Sequence, residues 1–109
     1  MMVLFLPEVR QYFQELEAIL FEKEYFSFED SAVQHVRDIV LEIEKTLPTQ
    51  TSKAAPPYFH RYGKKMQYAM FRKSKTTQWY AFFTKYHAKG EVIYVVRYIS
   101  NNHVIAKYL

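Results

Sequence analysis

The sequence has no cysteine, only two glycines and no long hydrophobic run. Without cysteine there is no disulfide, no thiolate nucleophile and no Cys-based zinc site. Gly63 and Gly90 stand alone, which excludes a P-loop and a dinucleotide-binding fingerprint, because both need several glycines within one short loop. The apolar start is too short for the hydrophobic region of a signal peptide, and no run of about 18 apolar residues could span a membrane. We therefore expect a soluble, cytoplasmic protein that makes no contact with a membrane.

The length of 109 residues predicts one domain, residues 1–109, and half of the residues are hydrophobic, which is enough to fill a core. The net charge of +4 conceals an asymmetry. Residues 1–50 contain four Lys or Arg against ten Asp or Glu, whereas residues 51–109 contain eleven against one, Glu91. A basic half of this kind suggests a polyanion such as nucleic acid as its partner. The alternatives are that the two halves attract each other or that the charge only aids solubility.

Apolar residues recur at spacings of three and four in the first half, which predicts two amphipathic helices. The first begins at Pro7, because proline is favoured at the first helical position, and runs to about residue 20. Ser27 is a candidate cap for the second, which Pro48 ends. The apolar residues 3–6 precede both helices and predict a buried strand. The two helices should form an αα-hairpin whose apolar faces need a further surface to cover them.

The periodicity changes to two beyond a polar, proline-bearing connection at 48–57. Three runs, at 66–73, 78–86 and 91–99, predict strands joined by connections of hairpin length, and hence an antiparallel meander. The last run is apolar on both faces and should lie inside the sheet. Its predicted faces are Val92, Tyr94, Val96 and Tyr98 on one side, and Ile93, Val95 and Ile99 on the other.

Two segments stay open: 58–62 could add a short strand or an irregular arm, and 103–109 could be a short helix or a terminal strand. The predicted fold class is α+β. An N-terminal strand that joins the sheet beside a later strand is followed by the αα-hairpin and a three- to four-stranded antiparallel meander. The helices cover one face of this sheet.

The chemistry-bearing residues do not indicate a conventional hydrolase. The histidines at 35, 60, 87 and 103 lack metal-ligand spacing, so we expect neither a metal nor a cofactor. The second half interleaves bases and rings, and bases neutralise phosphates while exposed rings stack on unpaired nucleobases. The candidate RNA-binding residues are Arg61, Lys64, Lys65, Lys73 and Lys75. The competing interpretation is that the lysines are ordinary solvated charges and that many of the rings, such as Phe82, belong to the core.

Arg97 lies inside an apolar run, where a charge needs a partner or a cleft. An ion pair with a helix acid such as Glu42 would explain it, and so would a phosphate-binding role on an open sheet face. Asn101 and Asn102 favour a turn that would hold His103 near the end of the strand, close to Arg97. A histidine near basic residues favours its neutral form, which suits proton transfer near neutral pH.

The order of elements, the size, the basic meander and the histidine at its end resemble the RelE/ParE superfamily of bacterial type II toxins, and most closely its HigB-like branch. The resemblance rests on the stretches YAMFR at 68–72, QWYAFF at 78–83 and VVRYI at 95–99, together with Asn102 and His103. Members that resemble RelE are ribosome-dependent mRNA endonucleases, whereas those that resemble ParE inhibit DNA gyrase.

The resemblance implies cleavage by attack of a ribose 2′-OH on the neighbouring phosphate, without a cofactor. Arg72 would hold the phosphate, Arg97 would stabilise developing charge and His103 would donate or accept a proton, with Tyr80 and Tyr108 as weaker candidates. The implied partners are mRNA on the ribosome and a cognate antitoxin protein that wraps the helices or covers the basic face. Two alternatives remain, a gyrase inhibitor and a non-catalytic nucleic-acid-binding remnant of a toxin.

Overall fold

The computed structural model describes residues 2–22, 29–73 and 77–109 and places two long helices on one face of a mixed β-sheet. The strands are β1 (Met2–Phe5), β2 (Lys53–Ala54), β3 (Gln67–Arg72), β4 (Gln78–Ala88) and β5 (Glu91–Asn101). The α-helices are α1 (Pro7–Glu22), α2 (Glu29–Thr46) and α3 (Asn102–Ile105), and short 3₁₀ helices occupy Leu47–Thr49, Pro57–Tyr62 and Ala106–Tyr108. The strand order is β1-β5-β4-β3-β2, with β1 parallel to β5 and the other pairs antiparallel. The predicted α+β class is therefore confirmed.

The two long helices follow the predicted periodicity. Each buries one stripe at spacings of three or four, such as Val9, Phe13 and Leu16 in α1, and these stripes form one core with the sheet. The helix α1 begins at Pro7, and α2 ends at Thr46, immediately before the 3₁₀ turn that contains Pro48. The proposed cap Ser27 lies outside the described residues. Within those residues, no helix is long and apolar enough to cross a membrane.

Two segments of the second half differ from the prediction. The connection at 48–57 contains the strand β2, which pairs with β3 and is too short to show a period of two. Residues 58–62 form neither a strand nor an irregular arm, because they belong to the 3₁₀ helix Pro57–Tyr62. Of the two possibilities for the tail, a helix or a strand, the structure shows the short helix α3, capped by the Asn101 side chain.

A β-bulge at Arg97 shifts the alternation of β5. Tyr98 pairs with Phe82 and Val96 pairs with Phe83, so Arg97 is the extra residue on this strand. Up to Val96 the predicted faces hold, but after the bulge they are inverted: Ile99 packs in the core under the helices, and Tyr98 lies on the opposite face. The predicted faces of these two residues are therefore wrong. The interior position of β5 is confirmed, since the strand lies between β1 and β4.

We call the face of the sheet away from the helices the tyrosine face. It is not fully open, although the resemblance implies that it should be. It carries a second core, in which Phe59 of the 3₁₀ helix stacks on Phe82 with ring centroids 4.1 Å apart and Ile105 of α3 is buried. Half-buried tyrosines surround this core: Tyr58, Tyr62, Tyr68, Tyr80, Tyr98 and Tyr108. The tyrosine face is thus partly covered, and what stays accessible is a cleft and the two ends of the sheet.

Candidate nucleic-acid interface

A cleft of about 430 Å³ opens on the tyrosine face, beside β2, β3 and β4. Its lining residues are Gln50, Thr51, Lys53, Tyr68, Met70, Tyr80 and Leu109. Register explains this set, because Lys53 pairs with Tyr68 and Met70 pairs with Tyr80, and residues paired across antiparallel strands share a face. The Tyr68 and Tyr80 rings lie 6.0 Å apart between centroids. We call this site the β2–β4 cleft.

Arg72 lies at the end of the β2–β4 cleft. It follows Met70 by two residues on β3, so both point to the tyrosine face, and it is exposed. Its partner across the strands is Gln78, the first residue of β4. Arg72 and Tyr80, both predicted as site residues, are thus neighbours along this end of the sheet.

His103 is tied to the same end of the sheet. Its backbone N–H donates to Asn101 Oδ1 at 3.0 Å, and Asn102 Oδ1 accepts from the backbone N–H of Gln78 at 2.9 Å. The exposed imidazole lies with Nε2 3.3 Å from Thr77 Oγ1. The two asparagines therefore fix the first turn of α3 against the start of β4, next to the strand that carries Arg72.

Arg97 does not belong to this group. The bulge directs its side chain along β4, where Nε donates to Thr84 Oγ1 at 3.0 Å and Nη2 donates to the Tyr86 hydroxyl at 2.7 Å. Eight residues of strand separate Tyr86 from Gln78, which is roughly 27 Å. The prediction that His103 lies close to Arg97 is wrong, because α3 begins beside Gln78 at the start of β4, whereas the Arg97 guanidinium bonds to Thr84 and Tyr86 further along that strand. Pairing with Glu42 is wrong as well, since the helices cover the other face.

The remaining predicted RNA-binding residues divide between the region of Arg72 and the region of Arg97. Lys73 is half-buried just beyond β3, beside Arg72, and Lys75 lies outside the described residues. Arg61 stacks over the Tyr58 ring at 4.1 Å. The exposed Lys64 and Lys65 follow Gly63, whose backbone lies against the stem of Arg97. We call Arg61, Lys64, Lys65 and Arg97 the Gly63 group.

Tyr108 attaches the C-terminal tail to the 3₁₀ helix Pro57–Tyr62. Its ring stacks on Tyr58 with centroids 3.6 Å apart and planes 6° from parallel. A hydrogen bond from the Tyr58 phenol raises the pKa of Tyr58 and lowers that of Tyr108, and Lys107 lowers the pKa of Tyr108 further. The next residue, Leu109, lines the β2–β4 cleft. Tyr108 therefore holds one wall of the cleft in place.

Lys53 and Tyr68 are site residues that the sequence-based prediction missed. The sequence pattern places Lys53 in a polar connection and Tyr68 in a strand, and it predicts a site role for neither. The period of two backwards from Arg72 through Met70 to Tyr68 is the signal that could have found the tyrosine. Within the part of the chain that the structure describes, no three His, Asp or Glu side chains come together as candidate metal ligands.

Fold and site together define an α+β domain with a cleft on the face away from its helices, lined by two tyrosines and by Lys53. Comparisons of the chain with protein-family models, with characterised proteins and with solved structures found no match.

Proposed function

We propose that the protein is a toxin of the RelE/ParE type that cleaves mRNA on the ribosome, with the β2–β4 cleft as its RNA-binding site. The observation that carries the proposal is that Arg72 and Tyr80 share the tyrosine face beside the start of β4, the end of the sheet to which His103 is tied. Of the described side chains that line the cleft, none is acidic. The arrangement of a strand, two helices and an antiparallel meander supports the same resemblance.

The cleft suits single-stranded RNA. Lys53 on β2 lines it, Arg72 lies on the same face of β3 two residues beyond Met70, and both can neutralise phosphates of one strand. The rings of Tyr68 and Tyr80 offer π-faces on which unpaired bases stack. Duplex RNA would present neither unstacked bases nor a flexible backbone to these rings, so a single-stranded segment held by the ribosome is the proposed substrate.

The proposed reaction is a transesterification. The ribose 2′-oxygen attacks phosphorus as its proton passes to a base, the bond to the 5′-oxygen breaks, and that oxygen receives a proton. The products are a 2′,3′-cyclic phosphate and a 5′-hydroxyl. His103 and Tyr80 are the candidates for the two proton transfers, and Arg72 stabilises the charge that develops on the phosphorane. Arg97 lies too far away to act in this step.

An antitoxin protein would neutralise such a toxin by covering the tyrosine face. The second half of the chain carries eleven basic residues against one acid, so an acidic segment is the chemistry that fits this face. A cognate antitoxin and mRNA on the ribosome are therefore the two partners that we propose.

Primer extension on mRNA, with and without ribosomes, tests the proposed function. We expect new 5′ ends only when the protein and ribosomes are both present. His103→Ala and Arg72→Gln should lower the cleavage rate by about 10²- to 10⁴-fold. Lys45→Gln removes one positive charge, as Arg72→Gln does, but at an exposed position of α2. This variant should cleave normally. Circular dichroism would show that each variant is folded.

Two results would contradict cleavage of mRNA. Intact mRNA together with relaxed plasmid DNA in cells that express the protein would indicate gyrase inhibition instead. Intact mRNA, normal supercoiling and binding of RNA that His103→Ala leaves unchanged would indicate a non-catalytic nucleic-acid-binding domain.

A further inference from the structure

The Arg97 guanidinium is held in one orientation by two neutral groups. Its Nε bonds to Thr84 and its Nη2 to the hydroxyl of Tyr86, which together use two of the five N–H donors of a guanidinium. The side chain is half-buried. Neither hydroxyl carries a charge that offsets the cation, so a half-buried positive charge is fixed in place with donor capacity to spare.

The surroundings of Arg97 increase the positive potential. The chain passes so close that a Cβ on Gly63 would lie 2.8 Å from Arg97 Cδ, and the exposed Lys64 and Lys65 follow directly. Glu8 and Glu15 of α1 line a groove together with Arg97, and Glu91 pairs with Ala88 at the far end of β4. The two acids of α1 belong to the helix layer, whereas the guanidinium runs along β4 towards Tyr86 on the tyrosine face.

Tyr86 adds a ring at this position. The side chain is 46% exposed, and its phenol oxygen accepts the Arg97 hydrogen bond. Hydrogen bonds with Thr84 and Arg97 lower the pKa of Tyr86. An oriented guanidinium beside an accessible ring is an arrangement that recognises a phosphate and the base attached to it.

We propose that Arg97, oriented by Thr84 and Tyr86, is a second phosphodiester-binding site for single-stranded RNA, separate from the β2–β4 cleft. The proposal rests on the proposed function for the identity of the ligand. The guanidinium fork binds two phosphate oxygens, and Lys64 and Lys65 neutralise the neighbouring backbone. The distance of roughly 27 Å between Tyr86 and the Arg72 end makes this site an anchor that sets how a long strand enters the cleft.

The separation predicts a dependence on RNA length. A dinucleotide reaches one site at a time, whereas an oligouridylate of about 12 nucleotides can occupy both. Loss of Arg97 should therefore weaken binding of the long strand and leave binding of a dinucleotide in the β2–β4 cleft unchanged.

Binding of a fluorescein-labelled oligouridylate of about 12 nucleotides, followed by anisotropy at several salt concentrations, tests the proposal. Arg97→Gln should weaken binding about tenfold and reduce the slope of log K against log salt by about 0.7, the contribution of one phosphate on a single strand. Tyr86→Phe, which removes the hydroxyl partner of Arg97, should weaken binding without changing the slope. Lys45→Gln, the control of equal charge, should change neither. An Arg97→Gln slope equal to that of the unmodified protein overturns the proposal.

A second measurement needs no variant that must fold. In the ¹⁵N-labelled unmodified protein, the Nε–Hε signal of Arg97 should shift saturably when the dinucleotide UpU is added, and inorganic phosphate should shift it less. A response to inorganic phosphate alone, or no response, overturns the proposal.

The outcomes also separate this site from the proposed function. If mRNA is not cleaved but binding of the oligouridylate depends on Arg97, the proposed nuclease fails and the anchor site stands. If mRNA is cleaved and Arg97→Gln changes neither slope nor affinity, the nuclease stands and the anchor site fails.

Discussion

At the scale of single residues, Gly63 is required for space and not for its backbone conformation. Its φ of 161° is extended backbone that any residue adopts. A Cβ at this position, however, would lie 2.8 Å from Cδ and 3.3 Å from Nε of Arg97. The absence of a side chain therefore lets the 3₁₀ helix and the bulge approach each other, and this approach sets the path of Arg97 towards Tyr86.

Gly63→Ala should displace Arg97 and break its hydrogen bond to Tyr86. We expect a loss of about 1 kcal/mol in the free energy of unfolding, measured with urea, because overpacking shifts a held side chain. In the Arg97→Ala background the same substitution should cost almost nothing, since the clashing atoms are gone. An equal cost in both backgrounds would show that the methyl group clashes with something else.

His35 on α2 makes the stability of the fold depend on pH. Burial, followed by the charge of Lys73, lowers its pKa below the ordinary value of 6.5. The unfolded chain therefore binds the proton more readily than the folded one, so the free energy of unfolding should fall as the pH drops below 6.5. His35→Gln should lose this contribution. Urea unfolding of both proteins between pH 5 and pH 8 measures it, and parallel pH profiles would contradict it.

At the scale of elements, the sequence predicts the helices and strands that have a regular hydrophobic period. It does not predict the elements that form only through contacts with another strand. The stripe of Val9, Phe13 and Leu16 shows the 3.6-residue period directly, so the sequence predicts α1 from its first residue. The two-residue strand β2 contains no period, and it forms because Lys53 and Ala54 meet β3. The bulge at Arg97 likewise arises from pairing with β4, which no local pattern of β5 encodes.

Ile105 anchors the C-terminal tail in the second core, and shortening its side chain should loosen the tail. The side chain is 1% exposed and packs with Phe59 and Phe82. Ile105→Ala should cost about 2–5 kcal/mol in urea unfolding, because it leaves a cavity in the second core. Amide exchange at residues 102–108 should accelerate as well. Its neighbour Val104 is 56% exposed, so Val104→Ala should stay within about 0.5 kcal/mol of the unmodified protein, and equal effects would contradict the anchoring role.

At the scale of the whole molecule, the charge asymmetry follows the architecture. The acidic first half forms the helices α1 and α2, and the basic second half forms the meander and the tyrosine face. The sequence could therefore predict a basic side that carries Arg72, Arg97 and His103. It could not predict that the Arg97 side chain runs along β4 away from His103, because the bulge that turns this side chain and the point at which α3 begins are both products of strand pairing.

Two double variants of equal charge test whether the tyrosine face, and not net charge, binds RNA. Lys64→Gln/Lys65→Gln removes two exposed cations of the Gly63 group, and Arg37→Gln/Lys45→Gln removes two exposed cations of α2. If net charge governed affinity, both would weaken oligouridylate binding equally, since both lower the charge by the same amount. If the bases at Gly63 contact the backbone, only the first should reduce the slope of log K against log salt, by about 1.4 for two phosphates on a single strand. Equal slopes for the two double variants would show that RNA senses only the overall charge of the molecule.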